Sequence, residues 1–231
     1  HVATIMRMGE VVDNCIPSEE SPRSMAEMIM GENLVSPEKP ENTIEGAPHL
    51  VVRDLSLESS DQHGVDLKEI NMQVHTGEIL GIAGIAGNGQ LELMAVLSGE
   101  ILVDDPNTVI IGNDAVGHSG PAERRSAGLG FVPEERLGHG AVPEMSLWEN
   151  GFLSGSKRMN LISRGFIKIP KSMKYASDIV TDFKVKTPGV ERTAASLSGG
   201  NLQKFIFGRE ILQNPGVIVA LQPTWGVDAG S

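Results

Sequence analysis

Residues 79–97, ILGIAGIAGNGQLELMAVL, decide how the rest of the chain is read. The apolar run Ile79-Leu80-Gly81-Ile82-Ala83 reads as a strand, Gly84-Ile85-Ala86-Gly87-Asn88-Gly89-Gln90-Leu91 as a glycine loop, and the segment from Glu92 to Leu97 as a helix. A glycine loop between a strand and a helix lets backbone N–H groups close around phosphate oxygens, with the positive end of the helix behind them. The spacing follows GxxxxGK[ST] as far as Gly89 and then departs from it. Gln90 stands where a lysine would reach the terminal phosphates, and Leu91 where a hydroxyl would bind magnesium. A hydrogen bond to a charged group is worth roughly 1.5–3 kcal/mol, so a cradle of Gly84, Gly87, Asn88, Gly89 and Gln90 would hold a nucleotide weakly. A tight glycine turn without a ligand is the competing reading of the loop alone.

Around this stretch, Thr108–Ile111, Leu129–Val132 and Val217–Leu221 also read as strands, the last apolar throughout as for a strand buried on both faces. A helix-covered, mainly parallel sheet is the expected α/β core. Residues 146–185 lack such runs but carry Leu147, Trp148, Tyr175, Ile179, Val180 and Phe183, which suit helices in a separate lobe. The opening HVATIMRMGEVVDNC reads as a strand pair around Met8-Gly9-Glu10, and it starts abruptly, as if cut from something longer. Met25, Met28 and Ile29 then fall at helical spacing. Pro37, Pro40 and Pro48 among charged residues mark 36–48 as an exposed linker and domain boundary.

The chain has 231 residues, a formal charge of -11 and 40% hydrophobic residues, enough for a packed core but unsuited to broad adhesion to nucleic acid or an anionic membrane. Phosphate recognition must therefore be local. Cys15 is the single cysteine, so no internal disulfide forms, and no apolar run of about 18 residues is present to span a membrane. His49, His63, His75, His118 and His139 lie scattered without metal-ligand spacing. A reducing, cytoplasmic setting follows.

Leu197-Ser198-Gly199-Gly200-Asn201-Leu202-Gln203-Lys204 precedes an apolar helix with Leu202, Phe205, Ile206 and Leu212 that Asn214-Pro215 would end. Ser198 lies at the helix start, where a hydroxyl, two glycine N–H groups and the helix dipole make an anion site. An N-cap with a glycine turn would explain an isolated SGG equally well. Here it is followed by a strand and by Gln222-Pro223-Thr224-Trp225-Gly226-Val227-Asp228.

At this point the chain resembles the ATP-binding subunits of bacterial ABC importers for simple sugars and nucleosides, specifically their second nucleotide-binding domain. The resemblance rests on four ordered segments: Gly84–Gln90, Pro133-Glu134-Glu135-Arg136, Leu197–Lys204 and Gln222–Asp228. It implies a P-loop nucleotide-binding domain with a helical subdomain, truncated at both ends. Residues 1–35 would be the C-terminal remnant of the first nucleotide-binding domain, and 49–231 the second, its helical subdomain spanning about 138–200. Ser198, Gly199, Gly200 and Gln203 would act in trans on ATP held by the first domain. Glu134, Glu135 and Arg136 would couple to the transmembrane permease, Glu134 standing at the Q-loop glutamine, and Asp228 would be the D-loop aspartate. Gly138–Pro143 resembles the nucleoside or simple-sugar branch more than the ribose branch.

The departures carry equal weight. Hydrolysing members of the family place a magnesium-linked aspartate and a catalytic glutamate where this chain has Leu221 and Gln222. Leucine cannot influence magnesium, and an amide cannot take a proton from water as a carboxylate does. No aromatic residue for stacking adenine lies between Leu50 and Val74, and the sequence reaches Ser231 without the family's switch histidine. The expected protein is thus a peripheral subunit at the cytoplasmic face of the membrane, using ATP and Mg in the complete transporter but with no nucleotide necessarily held by this chain. It would not hydrolyse ATP alone. Its partners would be the first domain, permease subunits and, indirectly, an extracytoplasmic substrate-binding protein. A soluble ABC ATPase without a permease is the alternative; a small-molecule kinase would leave LSGGNLQK unexplained.

Overall fold

The structure, a computed structural model, describes residues 2–7, 9–31, 46–59 and 64–224. They fall in two units, 2–31 and 46–224. In the first, β1 (Ala3–Arg7) and β2 (Glu10–Cys15) pair antiparallel, with Gly9 at φ 86° in the turn. A helix, α1 (Pro22–Met30), follows. Ser21 caps it by accepting the Ser24 N–H at 3.0 Å, while the Ser24 hydroxyl accepts the Ser21 N–H at 2.9 Å. Pro22 suits the first helical position because its missing N–H would have had no partner there. The expected hairpin and helix are therefore both present. Up to residue 45 the expected linker lies outside the described residues.

The second unit begins with β3 (Pro48–Leu57) and β4 (Leu67–His75), followed by the glycine loop and α2 (Gln90–Ser98). Then come β5 (Val109–Ile111), β6 (Asp114–Ala115), α3 (Pro121–Ala127) and β7 (Leu129–Val132). The chain continues through α4 (Leu147–Gly155), the short hairpin β8 (Ile162–Ser163) and β9 (Phe166–Ile167), and α5 (Ile169–Asp182). It closes with α6 (Gly199–Ile211) and β10 (Val217–Ala220). Besides the β8–β9 hairpin, its strands form a four-stranded antiparallel sheet of order β4-β3-β5-β6 and a parallel pair, β10 with β7.

The fold is mixed α/β as expected, but antiparallel pairing outweighs parallel. Ile79–Ala83 is not a strand: it is irregular, with Ile79 89% and Ile82 58% exposed. Apolar composition does not make a strand without a neighbour to pair its backbone, and Gly81 and Gly84 weaken the run further. β10 is likewise only partly buried, with Ile218 38% exposed, because it pairs with β7 on one edge.

Two apolar cores organise this unit. Leu50, Val52, Leu55, Val109 and Ile111 of the antiparallel sheet enclose Leu93, Val96 and Leu97 of α2. The other core joins Leu147 of α4, Tyr175, Ala176 and Ile179 of α5, and Leu202, Phe205 and Ile206 of α6. Each fully buried aliphatic or aromatic side chain contributes about 1.5–3 kcal/mol. On α5 the buried residues Ser172, Tyr175, Ala176 and Ile179 recur at helical spacing, so one face is committed to the core. A capping box starts α4: the Glu149 N–H donates to Ser146 Oγ at 3.3 Å, and the Ser146 N–H donates to Glu149 Oε2 at 2.8 Å. The glycine loop and the Ser198 turn thus open into helices rooted in different cores.

Candidate functional site

Gly87 and Gly89 have φ of 85° and 93°, which favours glycine and lets the chain turn sharply into α2. A Cβ on Gly89 would lie 2.9 Å from Leu67 Cδ2, so the turn is also closely packed. Within the loop, the Gln90 carboxamide folds back on its own turn. Its Oε1 accepts the Asn88 N–H at 3.0 Å, and its Nε2 donates to the Ile85 carbonyl at 3.0 Å. Asn88 Nδ2 donates to the same carbonyl at 2.9 Å. One backbone donor that a phosphate would need is thus already taken, and the amide crowds Gly84, where a Cβ would meet Nε2 at 2.5 Å. Leu91 is 60% exposed and offers only hydrocarbon.

α2 is fixed at its far end by Arg124, which is 0% exposed. Its Nη1 donates to the carbonyls of Val96 and Leu97, its Nη2 to that of Gly117 at 3.3 Å, and its Nε to that of Ser119 at 2.8 Å. Burial pulls its pKa down to about 10, still high enough to keep the guanidinium charged at neutral pH.

The Ser198 turn is arranged differently. Ser198 is the N-cap of α6, yet its side chain makes no capping bond. Its Oγ instead accepts from Asn201 Nδ2 at 2.8 Å, and Asn201 Oδ1 accepts the Lys186 N–H at 2.8 Å. The Lys186 N–H can only donate, which fixes the Asn201 amide orientation and leaves the Ser198 O–H free to donate outward. Ser198 and Gly199 are exposed, and helix geometry gives the first N–H groups of α6 no partner within the helix. The guanidinium of Arg136 lies beside them: a Cβ on Gly199 would be 3.1 Å from its Nη1. Hydroxyl, helix N-terminus and guanidinium converge on one exposed point with the chemistry of an anion site.

The Arg136 loop is held on α6. The Gly140 N–H donates to the Glu135 carbonyl at 2.9 Å, and a Cβ on Gly140 would meet Ile206 Cδ1 at 3.0 Å. Glu134 is half-buried and Glu135 exposed in this loop. Gln203 is 3% exposed, and its Nε2 donates to the Pro223 carbonyl at 3.2 Å, so its amide ties α6 to the turn after β10. Leu221 and Gln222 follow β10, the Leu221 N–H donating to the Val132 carbonyl at 3.0 Å and Gln222 lying exposed at φ 50°. Neither carries a carboxylate. Asp228 lies outside the described residues. Among the described residues no cluster of three His, Cys, Asp or Glu could hold a metal. In the chain's own loop, Gln90 and Leu91 offer neither a charged group nor a hydroxyl.

Deeper in α6, Glu210 pairs with Arg209 at 3.0 Å and with Arg125 of α3. Burial alone would push the Glu210 carboxyl up, but the charges of Arg209 and then Arg125 outweigh it and hold the carboxyl below its ordinary range. Tyr175 adds a hydrogen bond from its hydroxyl to the Arg209 carbonyl, and burial raises its pKa. The proximity of Arg136 to Gly199 was invisible in sequence, since only the fold brings residues 136 and 199 together. An open groove of about 660 Å³ beside α5, lined by Met173, Ser177, Pro188 and Glu191 among others, contains none of the expected site residues.

Comparison with known proteins matches residues 67–224 to the ABC transporter family. The chain is 34% identical over 233 residues to the glucose import ATP-binding protein of Haloferax volcanii, covering 99% of this chain and 42% of that protein. It is 31% identical to the nucleoside import ATP-binding protein of Lactococcus lactis, covering 99% and 45%. It thus spans less than half the length of these curated relatives. Among solved structures, a nucleotide-free ATP-binding cassette from an ABC transporter superposes with TM-score 0.59 at 24% identity, covering 80% of this chain and 72% of that one. A dimeric bacterial ABC transporter cassette gives 0.63 at 19% identity, covering 78% and 77%. These structural likenesses describe the fold.

Proposed function

The chain belongs to the ABC transporter family, and from that premise we propose that residues 49–231 form the second nucleotide-binding domain of an import ATP-binding subunit, whose first domain ends within residues 1–35. This domain lends its Ser198 turn to ATP bound on the first domain, and its own phosphate loop is not a catalytic site. The observation that carries the reading is the contrast in donors: Gln90 occupies the Asn88 N–H, while the Ser198 hydroxyl and the N-terminus of α6 face outward beside Arg136.

In the complete subunit the nucleotide supplies a terminal phosphate and its magnesium is held elsewhere. This chain's part is to bind and orient. Ser198 donates its hydroxyl proton, Gly199 and Gly200 allow close backbone approach, and Arg136 adds positive charge; the loop of Glu134, Glu135 and Arg136 links this turn to a permease subunit. No helix among the described residues is long and apolar enough to cross a membrane, which agrees with a peripheral subunit working with permease and substrate-binding partners. The relatives' names point to a simple sugar or nucleoside as cargo.

The test separates the two loops. The isolated chain with ATP and magnesium should show no turnover above a buffer blank and, by calorimetry, no binding or only very weak binding. The full-length subunit with its permease should hydrolyse ATP, and that activity should depend on Ser198 and Gly199. Turnover by the isolated chain would overturn the proposal.

A further inference from the structure

Residues 150–177, bounded by Glu149 and Asp178, carry six of the chain's 19 Lys and Arg and none of its 30 Asp and Glu. The six are Lys157, Arg158, Arg164, Lys168, Lys171 and Lys174, in a chain whose formal charge is -11. Of the six, Arg158 turns inward, donating to the carbonyls of Leu129 and Asn214. Lys157, Arg164 and Lys171 are exposed and Lys168 is half-buried, while Lys174, also exposed, pairs with Asp178 at 2.9 Å. Lys168 and Lys171 are gathered at one place, since both ammonium groups donate to the Asn160 carbonyl, at 3.1 and 3.4 Å.

The β8–β9 hairpin stands beside them with all of residues 162–167 exposed. Arg164 at φ 49° and Gly165 at φ 83° form its tip, and a Cβ on Gly165 would meet nothing within 4 Å. The side chains it offers to water are apolar: Phe166 is 79% exposed, Ile167 47% and Ile162 41%, with Ile169 at 48% just beyond. An apolar hairpin with Arg164 at its tip and Lys168 and Lys171 at its base differs from a concave groove, which would receive a peptide or a helix. Exposed aromatic and aliphatic side chains flanked by Lys and Arg are the combination that enters the headgroup boundary of a bilayer.

We propose that this hairpin and the basic residues around it rest on an anionic lipid surface. The chain's net negative charge does not prevent this. Charges more than about 10 Å from the surface are screened at 0.1 M salt, so the lipid responds to the local patch. Each Lys or Arg near an anionic membrane contributes about 1 kcal/mol, close to fivefold in affinity. The proposal goes beyond the transport reading and does not depend on nucleotide, permease or the Ser198 turn.

The test is sedimentation of the chain with vesicles of phosphatidylcholine alone or with about one-third phosphatidylglycerol. Association should occur with the anionic vesicles only and weaken between 50 mM and 500 mM salt. The Lys157→Gln, Arg164→Gln double variant should lose at least tenfold in affinity, and Phe166→Ser a similar amount, with unchanged melting curves. A Phe166→Trp variant should be quenched by brominated lipid, which checks insertion without removing apolar surface. Failure of the wild-type chain to bind anionic vesicles, or equal binding by the double variant, would overturn the proposal. So would a hairpin protected from solvent in a lipid-free complex with the permease, which would assign the patch to a protein partner.

Discussion

The phosphate loop and the Ser198 turn are both glycine-rich segments opening into a helix, yet they use their hydrogen-bond donors in opposite ways. At the first, a side chain from the helix turns back and takes a backbone N–H: Gln90 accepts from Asn88. At the second, the capping side chain is turned away from the helix and held by Asn201, leaving the helix start uncapped. A glycine loop is therefore not sufficient for phosphate binding; what matters is whether its donors are engaged from within.

The sharpest way to break this comparison is Gly199→Asp in the full-length transporter. The new Cβ would sit 3.1 Å from Arg136 Nη1, the movable end of a flexible side chain, so the fold should accommodate it. Its carboxylate would then put negative charge where the phosphate must sit. Removing a preorganised donor costs about 10²–10³ in rate in other enzymes, so uptake into proteoliposomes should fall at least a hundredfold. Transport within twofold of wild type would end the assignment of the Ser198 turn.

A second prediction concerns how the two helices are anchored. α2 ends on Arg124, which donates to neutral backbone carbonyls, whereas α6 is tied by Glu210 to Arg209 and Arg125. Glu210→Ala would leave two arginines uncompensated and should cost about 3–5 kcal/mol in denaturant unfolding. The pH dependence has a fixed sign. Because the folded carboxyl titrates below its ordinary value of 4.5, its contribution is fully present above that value and is lost as pH falls through the lower folded value. Acid titration followed by tryptophan fluorescence should show this slope in the wild type and its absence in Glu210→Gln.

Asn201→Ala probes the same turn more gently. It deletes the amide that holds Ser198 without touching the phosphate-facing atoms. A typical hydrogen bond is worth about 1 kcal/mol, so ATP hydrolysis by the assembled transporter should drop about fivefold. A parallel Ser198→Ala variant should lose at least as much, and combining the two should add little if Asn201 acts through Ser198.

Which parts of this were legible in sequence follows from how local each signal is. The α1 hairpin unit, α5 and α6 were readable because their turn residues and apolar spacing lie within a few residues of one another. The Ile79–Ala83 strand failed because a strand needs a partner, and composition says nothing about whether one is adjacent. β3 and β4 went unnamed since their pattern is interrupted by shifts in register, with Asp54 and Glu69 at positive φ. The site motifs were legible as residue types, but their engagement was not. Gln90 reads as a missing lysine, and only the fold reveals an amide bonded within the loop; Arg136 reads as part of a separate segment until it is found beside Gly199.

The smallest effect is expected at Gln90, and it tests the comparison from the other side. Gln90→Ala removes the bonds to Asn88 and Ile85, frees the Asn88 N–H, and introduces no charge or magnesium ligand. Gln90 is half-buried at the helix start, and alanine is a good helix former, so stability should change by less than about 1 kcal/mol. Uptake and ATP hydrolysis by the complete transporter should remain within about twofold of wild type. In the isolated chain the freed donor should leave nucleotide affinity equal or slightly higher, because one N–H becomes available while Leu91 still supplies no hydroxyl. Calorimetry with ATP on the wild type and Gln90→Ala reads this directly. If Gln90→Ala instead abolished uptake in a folded, assembled transporter, the internal amide would be a working part of the cycle and the asymmetry between the two loops would be wrong.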